Sequence, residues 1–296
     1  MDSTTLEMAG HQFVWGQRTY IMGIINVTPD SFSSDGLMQD DGDVVKQAVA
    51  QARRFVDEGA DILDVGGEST RPGAKPVTVE EELQRVVPVT AAMACEVDRP
   101  ISVDTYHAQV AAAALDAGAH LVNDIWGLHT PDGAWNQPLA KLVADRHVPI
   151  ILMHNRRAQA TAGALGSHYT AIEYQDLLNH IVTGLRESID FAQSCGIPRR
   201  AMIVDPGIGF GKTPEQNISI MRQLHKLRSL KHPILLGASR KSFIGLTLNL
   251  PTHERDEGTV ATTVLAVQAG VDIVRVHNVQ MNVRAARMAD VIVRPL

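Results

Sequence analysis

The sequence predicts a single-domain α/β protein, a (β/α)8 TIM barrel with a short N-terminal β-hairpin at the barrel bottom. Three observations carry this: a helix–glycine–strand phrase recurs, eight apolar runs alternate with eight helical patterns, and no GxGxxG follows the first strand. The last point separates the barrel from a doubly wound sheet, which usually has fewer strands and carries that fingerprint.

The recurring phrase is clearest in three places. Glu58-Gly59-Ala60-Asp61-Ile62-Leu63-Asp64 resembles Ala117-Gly118-Ala119-His120-Leu121-Val122-Asn123, and both resemble Ala269-Gly270-Val271-Asp272-Ile273-Val274-Arg275. In each, an amphipathic stretch ends at a glycine, the residue that closes a helix in the left-handed conformation. A short β-branched, apolar run follows, as expected of a parallel strand covered on both faces. Phe13–Tyr20, around Gly16, reads as the small hairpin, so residues 1–20 form an N-terminal segment and 21–296 the barrel. Strands are then expected at 21–26, 61–65, 100–104, 120–123, 148–153, 201–205, 233–237 and 271–276. Helices fill the intervals at 43–58, 79–97, 106–117, 134–146, 173–195, 214–229, 255–269 and 279–289.

Bulk properties agree and exclude some functions. The chain has 296 residues, 45% hydrophobic and 20% charged, enough for a barrel of about 250 residues. A formal net charge of −6 leaves no electrostatic footprint for nucleic acid or an anionic membrane, so any anion must meet a local positive cluster. Cys95 and Cys195 show neither CxxC nor metal-ligand spacing and suit a reduced, cytoplasmic setting. Met1–Gly10 lacks the basic and apolar regions of a signal peptide, and no run nears the ~18 apolar residues of a membrane span.

The strand ends deliver polar residues in order: Asn26, Asp64, Asp104, Asn123, His154, Asp205, Ser239, then Arg275 with His277. A barrel gathers these at one rim. An Asp or Asn at such a place often caps the following helix, but so many at one rim, two of them basic, mark a pocket. Three loops sharpen this. Asn26–Gly36 is rich in turn formers around Phe32 and reads as a lid. Gly66–Gly73 pairs two glycines with the donor fork of Arg71. Ser239–Ser242 follows the seventh strand and opens a helix, where backbone donors favour an anion. Gly207–Thr213 imitates a nucleotide P-loop but carries Pro206 where that motif needs glycine. No compact Ser–His–Asp arrangement or HExxH motif appears, and the scattered histidines read as surface or packed residues, His277 excepted.

These segments resemble the dihydropteroate synthase family from about Ile21 to Val293. The motifs that match, in order, are Asn26–Ser33, Gly66–Gly73, Val103–Thr105, Val122–Asp124, Asp205–Lys212, Ser239–Ser242 and Arg275–His277. The resemblance implies a (β/α)8 barrel, homodimeric, whose late helices form the interface. It implies joining of (7,8-dihydropterin-6-yl)methyl diphosphate to p-aminobenzoate, giving dihydropteroate and diphosphate by an SN1-like route, with sulfonamides competing for the aminobenzoate site. By the same carry-over, Asp104, Asn123 and Asp205 recognise the pterin edge, Lys241 reaches the ring carbonyl and N5 side, and Met153 packs on the ring face. Arg275, Val276 and His277 form the diphosphate motif with Thr70, and Asp104, Asp205, Lys241, Arg275 and His277 carry the chemistry. Phe32, Arg71, Pro72 and Phe210 surround aminobenzoate, whose carboxylate meets Ser242, while Asn26 is the protein ligand of Mg2+. Asn155, where members often carry Met, and Ser33-Ser34, which lengthens the first lid, depart from the pattern. With no room upstream for a fused pyrophosphokinase, a stand-alone enzyme is expected.

Three other readings stay open on the residues alone. A methyltetrahydrofolate:corrinoid methyltransferase shares the barrel but binds no diphosphate, so Lys241, Arg275 and His277 weigh against it. A non-catalytic pterin-binding paralogue would be free to lose Arg71 or Phe32. A Schiff-base lyase needs a desolvated lysine, and Lys241 beside Arg240 in a polar loop is a poor candidate.

Overall fold

The chain opens with an antiparallel hairpin, β1 (Thr5–Met8) and β2 (His11–Val14), joined by Ala9 and Gly10, both at positive φ. Two-residue hairpin turns of that kind match the twist of the flanking strands. The hairpin therefore lies upstream of the Phe13–Tyr20 stretch expected from sequence. The computed structural model describes residues 5–28, 41–70, 74, 76–162, 168–170 and 173–294, with 41–43 described by backbone alone.

The barrel strands are β3 (Tyr20–Asn26), β4 (Ile62–Gly66), β5 (Ile101–Asp104), β6 (Leu121–Asp124) and β7 (Ile150–Met153). After a two-residue antiparallel pair, β8 (Thr161–Ala162) with β9 (Tyr169–Thr170), come β10 (Met202–Asp205), β11 (Leu235–Leu236) and β12 (Ile273–Val276). The eight barrel strands are parallel in the order β10-β7-β6-β5-β4-β3-β12-β11, and a bridge between Val204 and Ile234 closes the ring. β11 is only a fragment of the expected 233–237 strand. Pro233 has no N–H to give, and its carbonyl accepts the Val204 N–H at 2.9 Å.

Helices α1 (Asp41–Glu58), α2 (Val79–Glu96), α3 (Ala108–Asp116), α4 (Gln137–Arg146) and α5 (Leu177–Ser194) cover the first half of the ring. α6 (Pro214–Arg222), α7 (Ser242–Leu248), α8 (Asp256–Ala269) and α9 (Val279–Val293) cover the rest. Local signals set the ends. Thr78 and Thr213 form capping boxes with Glu81 and Gln216, while Gly270, at φ 82°, closes α8. The helix expected over 214–229 stops at Arg222 and continues as a 3-10 helix over Leu224–Leu230. The buried residues there, Leu224, Leu227 and Leu230, are three apart, which suits three residues per turn. α9 outruns its expected end, because Asp290 accepts from the Thr19 N–H and hydroxyl and pairs with Arg294 at 2.8 Å. No described helix is long and apolar enough to cross a membrane.

Inside the ring, Met8 and Phe13 of the hairpin pack against Met22, Ile62, Leu121, Ile151, Ile203, Leu235 and Ile273. This apolar floor, plugged from below, positions everything above it. Side chains repeat every second residue along a strand, so the next inward positions are Ile24, Asp64, Asn123, Met153, Asp205 and Arg275, with Asp104 rising from β5. A polar layer sits directly on an apolar one.

Candidate active site

Above that layer lies a cavity of about 590 Å³, on whose wall Asn26, Thr70, Asp104, Phe210, Lys241, Ser242, Arg275 and His277 meet. They come from six different strands or the loops that follow them, and only closure of the ring makes them neighbours.

The centre is an ion-pair triad. Arg275 donates through Nε to Asp64 Oδ2 at 2.5 Å and through Nη2 to Asp104 Oδ2 at 2.7 Å. Asn123 Nδ2 adds a third donor to Asp64 at 3.1 Å. Burial pushes Asp104 up to about 7, further raised by Asp64, Glu82 and Glu68 and opposed by Arg275. A group titrating there changes charge in the physiological range, a property common at functional sites.

The second cluster is built on the loop after β10. Asp205 Oδ1 accepts the Gly207 N–H at 2.7 Å, and burial raises its carboxyl despite that bond and the nearby Lys241. Lys241 lies over the Phe210 ring, 4.3 Å from its centroid, and donates to the Ile208 carbonyl. Burial lowers it to about 8, with Asp205 pulling the other way. The lysine expected to be solvated beside Arg240 is partly buried on the cavity wall. Its neighbour Arg240 is held by Asp256 at 2.7 and 3.0 Å. Alternate glycines let this loop press on its neighbours: a Cβ on Gly207, at φ 68°, would fall 2.0 Å from the His154 carbonyl oxygen. The P-loop look-alike is a close-packed wall, with Phe210, Met153, Trp126 and Ile125 as its apolar face.

The rim is tied across four successive loops. Arg157 pairs with Glu68 at 3.4 Å and lies over the Trp126 ring at 4.9 Å, while the Tyr106 hydroxyl donates to Glu68 at 3.3 Å. On the opposite wall His277 Nδ1 and Ser239 Oγ are 2.9 Å apart, and the His277 N–H donates to the same oxygen at 3.2 Å.

Comparison with known proteins agrees with this geometry. Residues 22–277 match the family of the pterin binding enzyme. A dihydropteroate synthase of Clostridium beijerinckii is 48% identical over 98% of this chain and 100% of its own length. The chain belongs to the dihydropteroate synthases. Solved members share the architecture. The dihydropteroate synthase from Clostridium difficile, determined in the presence of pteroic acid, has a TM-score of 0.85 at 45% identity, covering 96% of this chain and 100% of that one. The Xanthomonas albilineans dihydropteroate synthase with 4-aminobenzoic acid also reaches 0.85, at 40% identity and 98% coverage of both chains. The chain is accordingly a transferase of folate biosynthesis.

Within a dihydropteroate synthase the residues expected from sequence divide into three groups. Asn26, Thr70, Asp104, Phe210, Lys241, Ser242, Arg275 and His277 line one cavity, with Asn123, Asp205 and Met153 buried beneath it. Val276 points the other way, into the core between strands and helices, leaving only its backbone to the site. Phe32, Arg71 and Pro72 lie outside the described residues. His154, one residue past Met153, likewise turns outward to share a hydrogen bond with His180 at 3.1 Å. Sequence reasoning gave no role to three polar residues packed around the site: Asp64, Glu68 and Lys212. Asp64 was visible as a strand-end carboxylate, but its guanidinium partner is 211 positions away.

Proposed function

We propose that this chain joins (7,8-dihydropterin-6-yl)methyl diphosphate to p-aminobenzoate, releasing diphosphate and forming 7,8-dihydropteroate. The observation that carries this reading is the stacking of a polar layer on the apolar barrel floor beside the Met153–Phe210 face. A planar heterocycle with alternating donors and acceptors fits such a slot. Asp205, Asp104 and Asn123 meet its aminopyrimidinone edge, and the Lys241 ammonium donates to the carbonyl and N5 side. Met153 lies on its face.

The methylene–oxygen bond breaks with its electron pair leaving on diphosphate, and the cation left behind is delocalised into the ring. The neutral aryl amine then forms the new carbon–nitrogen bond and sheds its proton to water. No nucleophilic side chain is required. The chief task is stabilising charge that grows on diphosphate, which falls to Arg275, His277 and Thr70. Phe210, with Phe32, Arg71 and Pro72, surrounds aminobenzoate, and Ser242 meets the carboxylate.

Among the described residues no cluster of three His, Cys, Asp or Glu is placed to hold a metal. Asn26 offers one neutral amide oxygen on the cavity wall, which fits Mg2+ carried in with diphosphate and its waters rather than a protein cage. When bound, that ion neutralises charge on the leaving group.

A homodimer through the late helices fits the exposed apolar side chains of α8 and α9, where Leu265 is 50%, Met288 62% and Ile292 71% exposed. The unpaired Cys95 and Cys195 fit cytoplasmic residence.

The test is incubation of the purified chain with the pterin diphosphate, p-aminobenzoate and Mg2+, following dihydropteroate and diphosphate together. Equal yields of both, abolished by omitting either substrate, are expected. Pterin binding without turnover would instead make the chain a non-catalytic pterin binder.

A further inference from the structure

Lys212 is 1% exposed, and nothing in the chemistry above uses it. Its ammonium donates to three main-chain carbonyls, Gly207 at 2.9 Å, Phe210 at 3.1 Å and His154 at 3.2 Å, one for each hydrogen. The three are not equivalent. The Gly207 N–H holds the Asp205 carboxylate, and the His154 N–H holds the Asp205 carbonyl at 3.0 Å. Phe210 carries the ring under Lys241. Asn217 secures the same turn, accepting the Gly209 N–H at 2.8 Å and donating to the Lys212 carbonyl at 3.3 Å.

A buried charge is a costly way to fill space, since an apolar side chain of similar volume packs without the desolvation penalty. What an ammonium adds is three donors directed from one point. Here they converge on the peptides that bracket a pterin-facing carboxylate and an aminobenzoate-facing ring. We infer that Lys212 is a positioning residue for both substrates, aiming Asp205 and Phe210 from behind the cavity wall. This rests on the reaction proposed above.

The test compares Lys212→Met and Lys212→Gln with the unaltered chain, reading KM for each substrate, kcat and thermal stability. The expected result is a rise of fivefold or more in both KM values with a smaller change in kcat, in protein that still melts cooperatively. KM values within twofold of the unaltered chain, in either folded variant, would overturn the inference. Should neither variant fold, unaltered protein labelled with 15N-lysine decides. Saturation with pteroic acid is expected to shift the Lys212 ammonium resonance, and an unmoved resonance in the saturated complex rejects the assignment. Absence of turnover by the unaltered chain would count against the synthase reading alone, because the ammonium shift judges Lys212 separately.

Discussion

One guanidinium serves two acids: Arg275 on β12 bridges Asp64 on β4 and Asp104 on β5 at 2.5 and 2.7 Å. In the substrate-free site its charge is already balanced within the barrel. Removing it takes away the proposed diphosphate contact and leaves two carboxylates without their guanidinium.

Arg275→Ala is therefore expected to lower kcat/KM by a hundredfold or more, about 2–4 kcal/mol of transition-state stabilisation. Stability should fall as well, by about 3–5 kcal/mol for a broken buried pair. Steady-state kinetics and urea unfolding check the two effects separately. Near-normal turnover would remove Arg275 from the chemistry.

The pH dependence of kcat/KM should be bell-shaped. Asp104, raised to about 7 by burial, must lose its proton to accept from the pterin and to pair with Arg275, so activity climbs as pH rises through that value. Lys241, lowered to about 8 by burial, must keep its proton to donate, so activity falls as pH rises through that value. The maximum should lie between them, and Asp104→Asn should abolish the acid limb at reduced rate. An acid limb that survives in this variant would assign it to another group.

The rim clasp predicts a change confined to one substrate. Arg157→Ala leaves Glu68, two residues before Thr70, with only the Tyr106 hydroxyl across the rim. KM for aminobenzoate should rise severalfold while pterin affinity holds. Trp126 loses the cation over its ring, so its fluorescence should change in the same variant. An equal rise in both KM values would mean that the clasp supports the whole cavity.

Legibility followed geometry. Alternation along strands is local, so Asp104, Asn123, Asp205 and Arg275 could be read from the ends of apolar runs. The same rule, applied strictly, turns Val276 and His154 outward, because each adjoins an inward residue. Partnerships across the ring were not readable: neither Arg275 with Asp64 nor Arg157 with Glu68 leaves a trace in spacing. Lys212 was hidden for a different reason. A lysine after alternating glycines reads as solvated, and only the close approach of that turn to the His154 and Arg156 backbones buries it. The hairpin lies a few residues upstream of its expected place because Ala9, half of its turn, has no strong preference for positive φ.

Gly207→Ala offers a sharp check on that turn. With φ at 68° and a backbone oxygen 2.0 Å from the new Cβ, the loop must move. A loss of more than about 2 kcal/mol in stability, with activity all but gone, is expected from strain and overlap together. Thermal melting and turnover at a permissive temperature read both, and a neutral substitution would show the turn to be loose.

The pairing of β12 with β3 also governs how the chain acquires its structure. Ile273 lies against Tyr20, and the Gly16 N–H donates to Asp272 across 256 positions. During synthesis β3 emerges early but must wait, one edge unpaired, until β12 has left the ribosome. An exposed parallel edge is an invitation to aggregate. Nascent chains stalled before residue 273 should engage chaperones strongly, and chains released past it should escape them.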